Sequence, residues 1–356
     1  MSAKLTLPMD VLSERLAATI DGRRVRVALF TTYNFDPGFF ELHILPNLFD
    51  QSFGQVDKVR LLQLEDALRA VDDLTVYYDR RALAQDAEPA RLDYRRLDVR
   101  RANGAFHPKL VLLLVDEPPD DHTSENTRTH QCLIVAVQSA NLTRAGWWEN
   151  VECAHIEEIK DKDLSDGRCP YRRDLLAMLR RLERSAGAEE RQSALEKIRE
   201  FLLSRTSSEP YAIASSRGRF DTRLFGGEGR DNLSQWLKGL RLDKDEWNLE
   251  IISPYFDPGG AGPLEQLLSA LKIREARVFL PMSADGTALV TESTYRAVSD
   301  LAHWAQLPGD VLERGRASGG ERMTPRRVHA KVYRLWRRGG PDLVVCGSVN
   351  LTGSGH

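Results

Sequence analysis

Two places in this sequence set an imidazole and an ammonium two residues apart. His107-Pro108-Lys109 opens the apolar run Leu110 to Val115, and His329-Ala330-Lys331 opens a mixed run to Trp336. Residues two apart on an extended chain face the same side, so each pair offers one imidazole and one ammonium to a common wall. After the next apolar run each pair is followed by asparagine in the same setting, Ser139-Ala140-Asn141-Leu142-Thr143 and Ser348-Val349-Asn350-Leu351-Thr352. Displacement at an anionic phosphodiester needs positive charge and amide donors on the non-bridging oxygens, an in-line nucleophile and an acid for the leaving oxygen. Two His, two Lys and two Asn supply all of these. One imidazole can attack phosphorus to give a phosphohistidine, while the other protonates the departing oxygen and then activates water to hydrolyse the adduct. The inventory calls for no cofactor and no metal, because lysine is not a metal ligand at neutral pH and neither histidine is accompanied by zinc or magnesium ligands at suitable spacing. Ser139 and Ser348 lie outside any Gly-x-Ser-x-Gly elbow and are expected to be phosphate-pocket hydroxyls rather than nucleophiles.

The elements that must position these residues also occur twice. Val25 to Thr32 is a β-branched run leading into Phe35-Asp36-Pro37-Gly38 and then helically spaced apolar residues to Phe49; Leu249 to Ser253 leads into Phe256-Asp257-Pro258-Gly259 and an amphipathic stretch to Leu271. Short strands are expected at Leu74 to Tyr78 and Ala276 to Leu280. Leu110 to Val115 and Cys132 to Val137 lack polar alternation, which places them in the middle of a sheet covered on both faces. The expectation is an α/β fold of two pseudo-repeated halves, each a mixed sheet flanked by helices, sharing a single active site. Residues 1–165 form the first half, 166–245 a helical insert or linker, and 246–356 the second half. The insert is read as two charged amphipathic helices within Asp166 to Arg205, with Leu175, Leu176, Leu179 and Leu182 on one stripe. Polar stretches at Pro118 to His130 and Ala317 to Thr324 are read as loops beside the sites.

The 356 residues carry 50 basic and 52 acidic side chains, a formal charge of −2 that argues neither for nor against a polyanionic partner. Local charge is uneven. Arg80, Arg81, Arg91, Arg95, Arg96, Arg100 and Arg101 precede one candidate site, and Arg322, Arg326 and Arg327 the other, although interleaved Asp86, Asp93 and Asp98 fit a salt-bridged surface equally well. Four cysteines without a C-x-x-C pair read as free, reduced thiols. With no signal-peptide pattern and no run of apolar residues long enough to span a bilayer, the expectation is a cytoplasmic protein with no membrane anchor. His43 and His303 are assigned to amphipathic helices, His122 and His130 to a loop and His155 to a strand, all without catalytic roles; Trp147 and Trp148 are assigned to a helix where one packs in the core and the other either packs there or stacks on a base, core packing being preferred.

The paired His-x-Lys segments, each followed by Ser-x-Asn-Leu-Thr after a strand, resemble the phospholipase D superfamily over roughly residues 25 to 160 and 247 to 356. Superfamily enzymes usually carry an aspartate five residues after the lysine, where this chain has Leu114 and Trp336. That departure makes it more similar to the tyrosyl-DNA phosphodiesterase and nuclease-like branches. The resemblance implies a phosphodiesterase with His107, Lys109, Asn141, His329, Lys331 and Asn350 as its catalytic set, His107 the nucleophile and His329 the acid. Asn150-Val151-Glu152 stands where related bacterial nucleases place Asn-x-Glu, so Glu152 is expected to orient a catalytic imidazole. Nucleic acid, DNA in preference, is the implied partner. Because the chain stops soon after Asn350, a second orienting acid is expected from a larger multi-domain chain or a complex. Two other readings stay open: a phospholipid headgroup hydrolase or transferase, and a non-cleaving nucleic-acid-binding module of a bacterial processing or defence assembly.

Overall fold

A computed structural model describes residues 12–353 except 50, 84–88, 102–103, 119–128, 186–192, 208–212, 216–217, 221, 227–231, 284 and 313–325. Most of both expected polar loops, with Arg322, His122 and His356, therefore lies outside the described residues.

The first sheet contains β1 (Arg24–Thr32), β2 (Asp73–Asp79), β3 (Arg95–Val99), β4 (Leu110–Asp116), β5 (Gln131–Gln138) and β6 (Ala154–Lys160), ordered β3-β2-β1-β4-β5-β6. A small hairpin, β7 (Ile213–Ser215) with β8 (Gly218–Phe220), precedes the second sheet. That sheet contains β9 (Glu246–Ile252), β10 (Lys272–Phe279), β11 (His303–Ala305), β12 (Val332–Trp336) and β13 (Leu343–Cys346), ordered β11-β10-β9-β12-β13. The five strands of the second order match the first five of the first, and β6 has no counterpart among the described residues. In each, the first strand pairs parallel with the second and antiparallel with the fourth, and the fourth pairs antiparallel with the fifth. The repeat read from sequence is thus a repeat of sheet topology.

Apolar runs place the core. β4 and β5 are interior strands whose residues alternate between two buried clusters, one on each face. Val111, Leu113 and Ile134 pack under Leu16, Phe40, Ile44 and Leu45 on one face. On the other, Leu112, Leu114 and Leu133 pack against Leu175, Leu179, Leu195 and Ile198. Those four come from the helices Arg172–Ser185 and Ser193–Arg205. The segment expected to join the halves therefore also covers the first sheet. Among the described residues of the second sheet one face of β9 and β12 is buried, with Leu249, Ile251, Tyr333 and Leu335, while Glu250 pairs across the half-buried other face with Arg334 at 3.0 Å.

Local details differ from the sequence reading in three ways. The stretch after Phe35-Asp36 is one short α turn, Pro37–Phe39, continued by π and 3-10 turns to Leu48, which follows from Pro46 denying the chain a regular ladder. His303 sits on the edge strand β11, not in a helix, because the preceding helix ends at Ser299 and the chain turns to pair with Arg277. Trp147 is buried as expected, but on a π turn, Ala145–Glu149, while Trp148 is half-buried against Phe39 and His43.

Candidate active site

Each asparagine loop is tied to its sheet through the same clamp. At the end of β1 the Thr32 hydroxyl donates to the Asn34 carbonyl at 2.7 Å and accepts the Leu142 amide at 3.0 Å. At the end of β9 Ser253 repeats this with the Tyr255 carbonyl at 2.8 Å and the Leu351 amide at 3.0 Å. Bridges Phe35 to Leu142 and Phe256 to Leu351 finish each clamp, so the asparagine loops are sewn to the strand ends beside them. Asp79, buried at the end of β2, takes the Phe106 amide at 2.6 Å and fixes the approach to His107. No sequence signal marked Asp79.

Lys109 and Lys331 are buried, and each ammonium lies 3.0 Å from the Nε2 of its own histidine. When the lysine is charged it has only protons to give, so Nε2 then accepts and a neutral ring carries its proton on Nδ1. The partners that hold that proton come from the opposite half in both cases. His329 Nδ1 meets Glu152 Oε1 at 2.8 Å, and His107 is hydrogen-bonded to the main-chain carbonyl of Ser348. Backbone bonds bring the halves together at this seam: Val151 donates to the Arg327 carbonyl at 2.8 Å, and its own carbonyl accepts from His329 and Ala330, each at 2.9 Å. Residues from both halves thus converge on one site, and a carbonyl stands where a second orienting acid was expected.

Burial and the neighbouring cations push the two imidazoles differently. His107 is driven down to about 2, by desolvation first and then by Lys109, Lys331 and His329. His329 is lowered by desolvation, but Glu152 opposes this through both its hydrogen bond and its charge. The lysines follow the same logic: desolvation lowers Lys331 to about 8 and holds Lys109 well below the ordinary ammonium range, with Glu152 raising both. A carboxylate stabilises an imidazolium, whereas a carbonyl chiefly fixes a tautomer.

The remaining expected residues fall around this centre. Asn141 Oδ1 accepts the Asn34 amide at 3.2 Å, and the buried Asn350 amide oxygen has no hydrogen-bond partner among the described residues. Ser139 is fully buried, donates to Glu152 and accepts the Cys153 amide at 2.9 Å, so its hydroxyl backs the carboxylate. Ser348 contributes its carbonyl to His107. Sequence reasoning passed over Tyr33 and Tyr255, whose rings lie 5.3 and 5.9 Å from the rings of His107 and His329; each stands within two residues of a Phe-Asp-Pro-Gly motif, which was the available signal. The four cysteines are free thiols, with Cys153 and Cys346 hydrogen-bonded across the seam and the Cys346 contact drawing Cys153 down to about 6. Two acidic groupings outside the site are occupied by arginine: Arg23 bridges Glu117 and Glu158 at 2.6 and 2.7 Å, and Arg205 reaches Asp161 at 3.0 Å. Arg80 pairs with Asp98 at 3.2 Å on the surface, so at least that arginine belongs to a salt-bridged face.

No protein-family model matches the chain, and no curated protein matches it. Among solved structures it is similar to tyrosyl-DNA phosphodiesterase from yeast, covering 96% of this chain and 83% of that one at 9% identity with a TM-score of 0.51. A histidine-to-alanine variant of the same yeast enzyme gives 95% and 80% coverage, 10% identity and a TM-score of 0.52. The chain therefore has a phospholipase D-like fold, an α/β architecture of two mixed sheets flanked by helices. Within that fold its neighbours are of the tyrosyl-DNA phosphodiesterase type, as the sequence motifs implied. Among the described residues no helix is long and apolar enough to cross a membrane.

Proposed function

We propose that this protein is a phosphodiesterase that cleaves nucleic acid, with DNA ends the favoured substrate, through a phosphohistidine on His107. The observation that carries the reading is the reciprocal pairing across the seam, His329 to Glu152 and His107 to the Ser348 carbonyl. His107, neutral at any working pH, presents its Nε2 lone pair to phosphorus. His329, charge-stabilised by Glu152, protonates the leaving oxygen and then removes a proton from the water that hydrolyses the adduct. Lys109, Lys331, Asn141 and Asn350 hold the non-bridging oxygens, and an arriving phosphate draws both lysines back toward their charged forms. Because the cations are lysines, the scheme needs no metal. The fold shared with yeast tyrosyl-DNA phosphodiesterase supports a nucleic-acid substrate, and Leu114, buried in the core where many superfamily members carry aspartate, fits the same branch.

The test is hydrolysis of single-stranded DNA oligonucleotides and of bis(p-nitrophenyl) phosphate in excess chelator, with denaturing capture of the covalent adduct. Turnover that survives chelation, with phosphate on a peptide containing His107, supports the proposal. Activity that disappears with the chelator counts against it, and a preference for phospholipid vesicles over DNA would move the assignment to the lipid reading.

A further inference from the structure

The repeat breaks at one residue beside the site. Counting from Phe-Asp-Pro-Gly, Tyr255 occupies in the second half the position that Asn34 occupies in the first, and each offers its carbonyl to the same clamp hydroxyl. Asn34 is partly buried, with its side-chain oxygen enclosed and its amide bound to Asn141. Tyr255 instead leaves 42% of its surface open. Its ring meets His329 edge-on at 78° with Arg327 poised 5.8 Å from the ring centre, and Arg327 also donates to the tyrosine hydroxyl at 3.4 Å. Lys331, which under the proposed mechanism grips the phosphate, lies 6.0 Å from the same ring. Tyr33, the aromatic on the other side, is only partly exposed and packs against His107.

We infer that Tyr255 and Arg327 form a nucleobase subsite on the His329 side of the cleft, which stacks the base of the nucleotide that departs. An exposed aromatic ring beside His329 and Lys331 suits an unstacked base, because every base has a π-face and the stack is formed without sequence-specific hydrogen bonds. The neighbouring guanidinium fixes the ring from one side and adds positive charge for the adjoining phosphate. His329 protonates the leaving oxygen, so a base held beside it belongs to the leaving nucleotide. A single strand, whose bases can splay out, is the form that fits. The inference rests on the nucleic-acid reading above and adds to it a side and a contact.

The experiment uses single-stranded oligonucleotides with one cleavage site, carrying an abasic residue on the leaving side, on the retained side, or on neither. For the unsubstituted protein, kcat/KM should drop roughly fivefold to 150-fold when the leaving-side base is removed, the range that loss of one base stack gives, and change little when the retained-side base is removed. Tyr255→Leu should bring the intact-to-abasic ratio on the leaving side close to one, whereas Tyr255→Phe keeps it. In the His107→Ala protein, 2-aminopurine at the leaving position should be quenched on binding, and the quench should vanish when Tyr255→Leu is added. Cleavage indifferent to the leaving-side base, or a ratio unmoved by Tyr255→Leu, overturns the subsite while leaving the phosphodiesterase reading intact. Failure to cleave or bind any oligonucleotide, with bis(p-nitrophenyl) phosphate still hydrolysed, overturns the nucleic-acid reading and the subsite with it.

Discussion

The two halves place their histidine and lysine alike on scaffolds of different quality. Counting from the lysines, Leu112 of β4 corresponds to Arg334 of β12, and their cross-strand partners are Leu29 and Glu250. In the first half this position is roofed by the helices Arg172–Ser185 and Ser193–Arg205, so a leucine pair fills it. In the second half the same position is open, and an ion pair at 3.0 Å takes its place. The difference teaches that the placement of the His-Lys pairs goes with the strand ends and their clamps, which are repeated, and not with what covers the sheet farther along, which is not.

Experiments that remove one member of each matched pair test this comparison. The largest effect is expected at the imidazoles: His107→Ala should abolish both turnover and adduct. His329→Ala should slow turnover roughly 10²–10⁴-fold while adduct persists, measured by acid- and alkali-stability of the bound phosphate. If the adduct instead survives in His107→Ala, the roles are reversed. Next comes the scaffold. Leu112→Ala should cost about 2–5 kcal/mol of stability in denaturant unfolding, whereas Arg334→Ala should cost about 1 kcal/mol or less, because an exposed pair contributes little. Equal losses would mean the second sheet is roofed by something beyond the described residues. Glu152→Gln should lower kcat roughly 10–100-fold, the usual size of an orienting contact, with little change in melting temperature.

The smallest and most discriminating effect concerns pH. The acid must be charged and the nucleophile neutral; His107 meets its condition throughout, so activity is limited by loss of the His329 proton and then of the lysine charges. Because the folded-state pKa of His329 lies below 6.5 before substrate binds, kcat/KM should fall as pH rises through the acidic-to-neutral range. Bound phosphate raises that pKa, so the corresponding limb of kcat should sit at higher pH. A kcat/KM profile that rises with pH in this window would assign the acid elsewhere.

Much of this was legible in the sequence because it depends on local chemistry. Strand ends, turns and the alternation of Leu110 to Val115 are written in adjacent residues, and two copies of one order announce two like sheets. The paired His-x-Lys motifs marked both walls of the site. Contacts between distant segments were not legible. Nothing near Ser139 in sequence says that its hydroxyl reaches Glu152, since that follows from how β5 and the approach to β6 pack. Asp79 was invisible for the same reason: it acts on Phe106 across a turn. His303 failed because a helical pattern ended a few residues early and the sheet claimed the remainder.

One consequence of the crossed pairing reaches beyond catalysis. Since each ring borrows its proton-holding partner from across the seam, either portion made by itself would carry an imidazole without that partner. Under the proposed mechanism such a fragment should be inert toward phosphate esters. The seam would then act as an interlock, and reunion of two separately produced pieces should restart chemistry from silence, as in a split reporter.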